Sequence, residues 1–472
     1  MSSKKKKRVP LEHLTIDAYA AEGKSIAHLE DGKVVFVENV VPGDVINAVT
    51  TKNKSAWAEA RMVKLITPSP DRVQPFCQHF GVCGGCKWQM LPYPIQLKYK
   101  QQQVEDQLKR IGHLEFREMF PILGSADDKY YRNKLEFTFS TQKYRTFEEI
   151  ESRDEKFEPE PAFGFHAPGL FDKVVPIETC YLLEDPVNLI LDVVRKYSLE
   201  HQLPYYDIRK HTGWLRNIII RKTTLGELMI NLVVAYEDDN VLFDLLKHMD
   251  ANIPGITSLQ YTINDKKNDT IYDRDVKVFK GTAFIREQLE QYVFKISPKS
   301  FFQTNSRQAE TLYKVARDFA GLTGSETLYD LYCGTGSIGI FCSAGAKKVV
   351  GIEVIDDAII DARENASINN LDHCTFFTGD VIDICTDDFF TQHGKPDVII
   401  TDPPRAGMHT KLVDQLLKMA APRIVYVSCN PATQARDLQL LCTMYDIKKV
   451  QPVDMFPHTH HIENVVLLEL KK

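Results

Sequence analysis

Long hydrophobic runs are missing from this 472-residue sequence, and their absence excludes a first large class of proteins. No segment approaches the roughly 18 uninterrupted apolar residues that a membrane-spanning helix needs. The basic residues near the amino terminus are not followed by the apolar stretch of a secretion signal. We therefore expect a cytoplasmic protein without a membrane anchor, and no obligate protein partner is evident.

Cysteine and net charge are also scarce. Only 10 cysteines occur, several of them in apolar segments, which is not the pattern of a disulfide-linked secreted domain. A net charge of −6, from 58 basic and 64 acidic side chains, argues against a protein that coats nucleic acid with its whole surface. A basic face on one domain is still compatible with this balance, and the length predicts about two to four domains.

The amino-terminal part, residues 1–68, has the pattern of a small all-β domain. Its β-rich runs, including residues 33–41 and 44–50, are separated by glycine-containing turns. About five short strands predict a small β-barrel, a fold that commonly binds single-stranded nucleic acid. Residues 4–8 (KKKKR) form a basic tail that could help to hold a polyanion.

Three cysteines within ten residues lie near the start of a second domain, residues 69–292. Cys77, Cys83 and Cys86 belong to CQHFGVCGGCKWQ, where glycines let the backbone fold tightly around one ion or cluster. Cys180 is the best fourth ligand, because it is the only other cysteine ahead of the carboxyl-terminal region. Zinc and a [4Fe–4S] cluster both accept four thiolates, so the spacing leaves both open. The segregated strands and helices that follow predict an α+β domain.

A basic and aromatic segment lies within this second domain. Between residues 129 and 145, five basic side chains are interleaved with three tyrosines. This composition is typical of a surface that binds the RNA backbone and stacks on its bases.

The carboxyl-terminal part, residues 293–472, alternates strands and helices, which predicts a doubly wound, Rossmann-like parallel sheet. Gly334-x-Gly336-x-x-Gly339 lies between the first strand and its helix, and Glu353 ends the second strand. The glycines let the backbone approach a nucleoside, and the carboxylate can bind ribose hydroxyls. The pattern therefore predicts a nucleoside-containing cofactor, but does not distinguish a nicotinamide dinucleotide from S-adenosylmethionine.

Three strands of this region end in groups suited to chemistry. Asp380 ends the third strand and suits an adenine amino group. Asp402 begins Asp-Pro-Pro-Arg, a rigid acidic turn like that of methyltransferases that act on nucleobases. Cys429, in VYVSCNPAT, ends a buried strand at the sheet edge where ligands bind. An isolated cysteine of this kind is more often a packing residue, so the surrounding motifs decide its interpretation.

Taken together, these motifs resemble the S-adenosylmethionine-dependent RNA uracil-5-methyltransferases. The likeness runs nearly end to end and includes VVFVENVVPGDVI, which resembles the TRAM domain, the cysteine cluster, DLYCGTGSIG, GIEV, DPPRAG, VSCNPAT and FPHTHHIENV. The resemblance implies that Cys429 is the nucleophile and Glu463 the base. The S-adenosylmethionine site that it implies consists of Gln303, Tyr332, Ser337, Glu353, Asp380 and Asp402.

The same resemblance bears on the cysteine cluster and on the substrate. Within this family, such a cluster is characteristic of the ribosomal RNA enzymes and holds [4Fe–4S], whereas the transfer RNA enzymes generally lack it. The resemblance therefore implies iron and sulfur rather than zinc. It also implies large-subunit (23S) ribosomal RNA as the first choice of substrate and transfer RNA as the second.

The chemistry of uracil explains the need for both catalytic groups. C5 is a poor nucleophile, but addition of a thiolate to C6 creates an enolate whose C5 can take a methyl group. Glu463 would then remove the C5 proton before the thiolate leaves. We expect N–H groups of the helix that starts near Pro431 to favour the thiolate form of Cys429. The target base must leave its stack to meet these groups.

The sequence leaves four alternatives open. Two are related enzymes, a transfer RNA uracil-5-methyltransferase and an RNA cytosine-5-methyltransferase, which also needs a cysteine nucleophile. The third is a non-catalytic iron–sulfur protein that binds RNA, and the fourth is a nicotinamide-dependent oxidoreductase.

Overall fold

A six-stranded sheet forms the amino-terminal part of the protein. The computed structural model describes residues 8–152 and 157–472, so residues 4–7 of the predicted basic tail lie outside the described residues. The strands are β1 (Pro10–Thr15), β2 (Ala18–Tyr19), β3 (Ser25–His28), β4 (Val34–Val37), β5 (Val45–Asn53) and β6 (Trp57–Thr67). Their order in the sheet is β1-β5-β6-β4-β3-β2. Buried and less buried residues alternate along β4 and β5, because successive side chains of a strand point to opposite faces.

Helix α1 (Tyr93–Asp106) and strand β7 (Phe116–Met119) follow the cysteine-rich loop. β7 pairs in parallel with the strand Tyr445–Val453 and so extends the carboxyl-terminal sheet. This segment therefore pairs outside the second domain, residues 69–292, in which its position in the sequence would place it. A four-residue strand carries too little periodicity to predict its partner so far along the chain.

The second sheet has seven strands, and its two long helices pack on one face. The elements in chain order are β8 (Lys134–Ser140), α2 (Phe147–Glu151), β9 (Ala162–His166), β10 (Val174–Pro176), α3 (Val187–Glu200), β11 (Leu215–Lys222), β12 (Leu228–Val234), α4 (Asp239–Asn252), β13 (Ile256–Ile263) and β14 (Val276–Gly281). The strand order is β10-β9-β8-β11-β12-β13-β14. Apolar side chains of α3 and α4 share a core with one face of this sheet, which is the segregated α+β arrangement that the sequence predicts.

A hairpin joins the second sheet to the third. β15 (Ile285–Leu289) and β16 (Tyr292–Ile296) pair with each other, and α5 (Ser306–Ala320) follows. Buried residues of the hairpin share a core with α5 and the third sheet. The predicted boundary between residues 292 and 293 therefore cuts through a hairpin that packs with the carboxyl-terminal unit.

The third sheet is the doubly wound one. Its elements are β17 (Thr327–Leu331), α6 (Ser337–Cys342), β18 (Lys348–Glu353), α7 (Asp356–Ile368), β19 (Cys374–Thr378), α8 (Val381–Ile384), α9 (Asp387–His393), β20 (Val398–Thr401), α10 (Thr410–Met419), β21 (Arg423–Ser428), α11 (Pro431–Leu441), β22 (Tyr445–Val453) and β23 (Glu463–Leu470). The order is β19-β18-β17-β20-β21-β23-β22-β7, and the first five strands in this order are parallel. β23 runs antiparallel between β21 and β22. Apolar cores cover both faces of the sheet. Over residues 8–152 and 157–472, no helix is long and apolar enough to cross a membrane.

Candidate active site

Cys429, Asp402 and Glu463 meet at one edge of the third sheet. Cys429 directly follows β21, and Asp402 directly follows β20, which pairs with β21 in parallel. Glu463 is the first residue of β23, which pairs Asn464 with Ser428 in the antiparallel sense. The carboxyl ends of two parallel strands and the amino end of an antiparallel strand therefore reach the same edge.

The thiol of Cys429 is half-buried between two carboxyl groups. Burial is the largest cause that raises the pKa of Cys429 to about 11, and the charges of Glu463 and Asp402 act in the same direction. The helix α11 does begin beside Cys429, but the side chain of Asn430 already caps it and accepts a hydrogen bond from the N–H of Ala432 at 3.1 Å. Burial and the two carboxyl groups therefore favour the protonated thiol in the free protein, against the predicted effect of the helix, which stays a prediction.

Arg405 is the cation beside this thiol, a role that the sequence motifs do not reveal. Its guanidinium lies beside the thiol of Cys429 and acts to lower the thiol pKa. Nη2 of Arg405 lies 3.3 Å from Nδ1 of His461. The carbonyl of Arg405 accepts hydrogen bonds from Asn430 Nδ2 and Thr433 Oγ1, both at 3.1 Å. These bonds fasten the loop after β20 to the start of α11. The position of the arginine directly after Asp-Pro-Pro was the available signal.

The two carboxyl groups of the site are difficult to ionise. Burial raises the pKa of Asp402 to about 7. Burial and the charge of Asp402 raise the pKa of Glu463 well above its ordinary value, while Arg405 opposes the rise. Carboxyl groups that interact in a buried site titrate as a pair and retain a proton near neutral pH. This property suits a general acid or base.

The glycine-rich loop between β17 and α6 has a conformation that favours glycine. Gly334 and Gly336 have φ values of 52° and 77°. A Cβ on Gly336 would lie 2.9 Å from the ring of Phe376. The N–H of Gly334 donates to Oε2 of Glu353 at 3.3 Å, and the two main-chain N–H groups after Glu353 donate to its other oxygen at 2.8 and 3.1 Å. The carboxylate is therefore fixed at the end of β18, facing the loop.

Tyr332 and Ser337 flank this glycine-rich loop. Tyr332 directly follows β17 and has a left-handed backbone, with φ of 61°. Ser337 begins α6, and its hydroxyl lies 2.9 Å from the hydroxyl of the buried Tyr313 on α5. Both predicted cofactor residues therefore border the loop, but the hydroxyl of Ser337 already has a partner.

Asp380 and Gln303 lie on two segments outside the glycine-rich loop, after β19 and before α5 respectively. Asp380 is exposed after β19 and caps α8, since its Oδ1 accepts the N–H of Ile382 at 2.8 Å. Gln303 is buried, and its main-chain carbonyl accepts a hydrogen bond from Asn133 Nδ2 at 2.8 Å. The hydroxyl of Thr335 donates to the carbonyl of residue 301 at 3.4 Å, which ties the segment that carries Gln303 to the glycine-rich loop.

Four thiols line one pocket elsewhere in the molecule; they belong to Cys77, Cys83, Cys86 and Cys180. Burial is the largest cause that raises the pKa of each thiol, and the neighbouring thiols add to it at Cys83, Cys86 and Cys180. His79 also lines the pocket, but its Nε2 accepts the N–H of Glu178 at 3.1 Å. Within the described part of the chain, no group of three or more Cys, His, Asp or Glu side chains is arranged to hold a single metal ion. The structure brings the predicted ligands together, and metal binding itself stays a prediction.

Relatives that match almost the whole chain identify its family. A protein of Bacteroides thetaiotaomicron, named as an uncharacterised RNA methyltransferase, is 55% identical over 96% of this chain and 100% of its own length. One of the same name from Porphyromonas gingivalis is 50% identical over 96% of this chain and 99% of its own length. The family model of the tRNA (uracil-5-)-methyltransferases matches residues 272–471. The chain belongs to the RNA (uracil-5-)-methyltransferase family.

A solved structure extends this likeness to the complete fold. The crystal structure of the Pyrococcus abyssi tRNA (uracil-54, C5)-methyltransferase in complex with S-adenosyl-L-homocysteine has a TM-score of 0.74 and 28% identity, and the match covers 97% of this chain and 100% of that chain. The fold of an RNA (uracil-5-)-methyltransferase thus accounts for the segments ahead of residue 272 as well. All the predicted catalytic and cofactor residues lie within the range 272–471, whereas the four-thiol pocket lies outside it.

Membership of the RNA (uracil-5-)-methyltransferase family decides between several alternatives. It removes the non-catalytic RNA-binding protein and the nicotinamide-dependent oxidoreductase, because the relatives that cover the chain are RNA methyltransferases. Ribosomal RNA and transfer RNA both stay open as substrates.

Proposed function

We propose that this protein transfers the methyl group of S-adenosylmethionine to C5 of a uridine in RNA, through a covalent bond between Cys429 and C6 of the base. The observation that carries the proposal is the meeting of a thiol, a buried carboxyl group and a cation, which belong to Cys429, Glu463 and Arg405. Methyl transfer to an amino group needs no thiol. Methyl transfer to C5 needs both a nucleophile and a base.

The reaction proceeds in three steps: addition of the thiolate, methyl transfer, and elimination of the thiolate. The Cys429 thiolate attacks C6, and the electrons of the C5–C6 double bond form an enolate. S-adenosylmethionine supplies the methyl group to C5. Glu463 then accepts the C5 proton, the double bond forms again, and the bond between C6 and sulfur breaks. The products are 5-methyluridine in RNA, S-adenosylhomocysteine and a free thiolate.

Before the attack, the thiol must lose its proton. The free protein opposes this loss, because burial and two carboxyl groups raise the pKa of Cys429. The positive charge of Arg405 opposes that effect. Burial raises the pKa of Asp402 to about 7, so its carboxylate is a suitable acceptor for the thiol proton near neutral pH, and Glu463 stays available for the C5 proton.

The cofactor site that we propose lies along the glycine-rich loop and consists of Gln303, Tyr332, Gly334, Gly336, Ser337, Glu353, Asp380 and Asp402. The fit of the glycine-rich loop to a nucleoside supports this proposed site. A side chain on Gly336 would collide with its surroundings, and Glu353 is held where ribose hydroxyls bind in sheets of this type. Asp380 is exposed at the same edge and can accept a hydrogen bond from an adenine amino group.

RNA is the macromolecular partner that we propose, and the cytoplasm is the compartment. The first sheet would act as a TRAM-like barrel, and the second sheet would bind RNA around the target. The basic segment 129–145 is only partly available for this role, because Lys143 pairs with Glu160 at 2.7 Å and Tyr131 is buried. Tyr130 is 42% exposed, so the amino end of the segment is the better candidate for stacking on a base.

Large-subunit ribosomal RNA is our first choice of substrate and transfer RNA our second. The four-thiol pocket supports ribosomal RNA through the resemblance described above, while the Pyrococcus abyssi protein of similar fold is a transfer RNA enzyme. The decisive experiment offers both RNAs, taken from cells that lack this protein, and then maps the new methyl groups. 5-Methyluridine in transfer RNA alone would reverse our order, and 5-methylcytidine would indicate the cytosine-5 alternative. If an active preparation formed neither product, the proposal would fail.

The four-thiol pocket is proposed to hold a [4Fe–4S] cluster, with zinc as the alternative. Buried, neutral thiols become stable thiolates when they bind a cation, so the donor set fits either group. The resemblance described above favours the cluster over zinc. An anaerobic preparation should contain about four iron atoms per chain, and stoichiometric zinc without iron would contradict the assignment.

The catalytic assignments have their own test. Cys429→Ala should abolish methylation and also the covalent complex with RNA, whereas Glu463→Gln should still form the complex but release it slowly. The complex is detected as protein with reduced mobility on a denaturing gel. Methylation by Cys429→Ala would exclude Cys429 as the nucleophile.

A further inference from the structure

The loop of residues 454–462 connects β22 to β23 and ends directly before Glu463. Glu463 pairs with Val453 across this hairpin, so both ends of the loop lie beside the proposed base. The loop is packed inside the protein, since Asp454 is 0% exposed and His458 is 3% exposed. How the loop is held therefore determines where the carboxyl group of Glu463 points.

Helix α1 binds the beginning of the 454–462 loop. Nζ of Lys100 donates to Oδ1 of Asp454 at 2.6 Å and to the carbonyl of Phe456 at 3.1 Å. Both partners of this ion pair are fully buried. The hydroxyl of Tyr93, two turns earlier on the same helix, donates to Oδ2 of Asp454 at 3.0 Å. Both oxygens of Asp454 are thus bound by α1.

His458, in the middle of the loop, is held from two sides. Its backbone is left-handed, with φ of 62°. Gln96 of α1 accepts the N–H of His458 at 2.8 Å, and Nε2 of Gln96 lies 3.0 Å from Nδ1 of the ring. The carbonyl of His458 accepts the N–H groups of Lys87 and Trp88 at 2.7 and 3.0 Å. Those two residues directly follow Cys86, so α1 and the cysteine-rich loop hold the same residue.

We infer that Lys100, Gln96 and Tyr93 are positioning residues for Glu463, which they orient for removal of the C5 proton through the 454–462 loop. This inference rests on the proposed function of Glu463. None of the three touches the reacting groups. A buried ion pair adds little stability over apolar packing of the same volume, because both charges lose their hydration. The pair of Lys100 and Asp454 does, however, fix the distance and direction between α1 and the loop.

Two RNA substrates distinguish removal of the C5 proton by Glu463 from addition of the Cys429 thiolate. With uridine RNA, turnover requires addition of the thiolate, methyl transfer and removal of the C5 proton. With 5-fluorouridine RNA, C5 carries fluorine and methyl after the transfer and has no proton to lose, so the covalent complex persists. The rate at which this complex forms reports the first two steps and does not depend on the base.

Two variants disturb the loop without leaving a buried charge. Lys100→Met combined with Asp454→Asn removes the ion pair, and Tyr93→Phe removes only one hydroxyl. We expect turnover on uridine RNA to fall about tenfold to a hundredfold, with accumulation of the covalent complex, while its formation on 5-fluorouridine RNA stays within about threefold of the unchanged protein. Lys98→Met, at an exposed position of the same helix, is the control and should behave like the unchanged protein.

Equal losses on both substrates would show a general structural role and overturn the inference, as would unchanged turnover. Should the double variant fail to fold, Tyr93→Phe decides alone, because it keeps the ring and its packing. If the unchanged protein formed no complex with 5-fluorouridine RNA, the proposed function would fail and the inference with it. That outcome is distinct from a failure confined to the variants.

Discussion

Replacement of Arg405 by methionine tests what controls the ionisation of the proposed nucleophile. In the structure, the guanidinium beside Cys429 acts to lower the pKa of the thiol, which burial and the charges of two carboxyl groups raise to about 11. Methionine retains much of the length of the side chain but has neither charge nor donor. The pKa of Cys429 should therefore rise further, so the thiolate should form only at a higher pH.

The size of this effect follows from the charge of Arg405 and its exposure. Arg405 is exposed, so water screens its charge, and a screened charge pair contributes up to about 1 kcal/mol. One pKa unit corresponds to about 1.4 kcal/mol. We expect the pKa of Cys429 to rise by somewhat less than one unit, and its alkylation at a fixed pH below that pKa to slow up to about fivefold.

The assay measures alkylation of Cys429 by iodoacetamide, from neutral to alkaline pH, through mass spectrometry of the peptide that contains it. Arg405→Lys keeps the charge and should fall between the other two proteins. Lys411→Met removes an exposed charge at the start of α10 and serves as the control. An alkylation profile of Arg405→Met that coincides with that of the unchanged protein would refute the proposed control by Arg405.

Three further predictions concern stability and cofactor binding. Lys100→Met should lower the free energy of unfolding in urea by about 3–5 kcal/mol, because Asp454 would stay charged and buried, and adding Asp454→Asn should restore part of the loss. The pKa of Asp44 is lowered because bonds from an arginine and two main-chain N–H groups outweigh the opposing effect of burial. Its contribution to stability is complete above the ordinary carboxyl pKa and is lost as pH falls through the lower folded value, so the melting temperatures of Asp44→Asn and the unchanged protein should converge in acid. Gly336→Ala should weaken S-adenosylmethionine binding in calorimetry, because a Cβ there meets an aromatic ring at 2.9 Å at a φ of +77°; Gly32→Ala, at a φ of +82° in open space, should leave binding unchanged.

The strands and helices that could be predicted from the sequence are those specified by a pattern of neighbouring residues. The strands that end at Asp402 and Cys429 are continuous apolar runs followed by a helix start, and parallel strands bring their carboxyl ends to one edge. The position of Glu463 had no such local signal; its role came from the resemblance. Strand β7 and the hairpin across residue 292 were misplaced, because their partners are chosen by packing between distant segments.

The ionisation of the site was not predictable from the sequence, because it depends on which side chains converge. A helix that starts beside Cys429 suggests a stabilised thiolate, and the structure does contain that helix. The carboxyl groups of Asp402 and Glu463 reach the same thiol from other strands and reverse the effect. Arg405, which opposes them, is held in place by hydrogen bonds to α11 that no sequence pattern shows.

The protonated form of the Cys429 thiol is less open to oxidation and alkylation than the thiolate. The thiolate is the form that oxidants and alkylating agents attack. Because the pKa of Cys429 is about 11, only a small fraction of the half-buried group is thiolate at neutral pH. One of the carboxyl groups that suppress the thiolate, that of Asp402, can also accept its proton, since burial raises its pKa to about 7. The same convergence of charges therefore disfavours the thiolate of the proposed nucleophile in the free protein and supplies the bases that the proposed reaction requires.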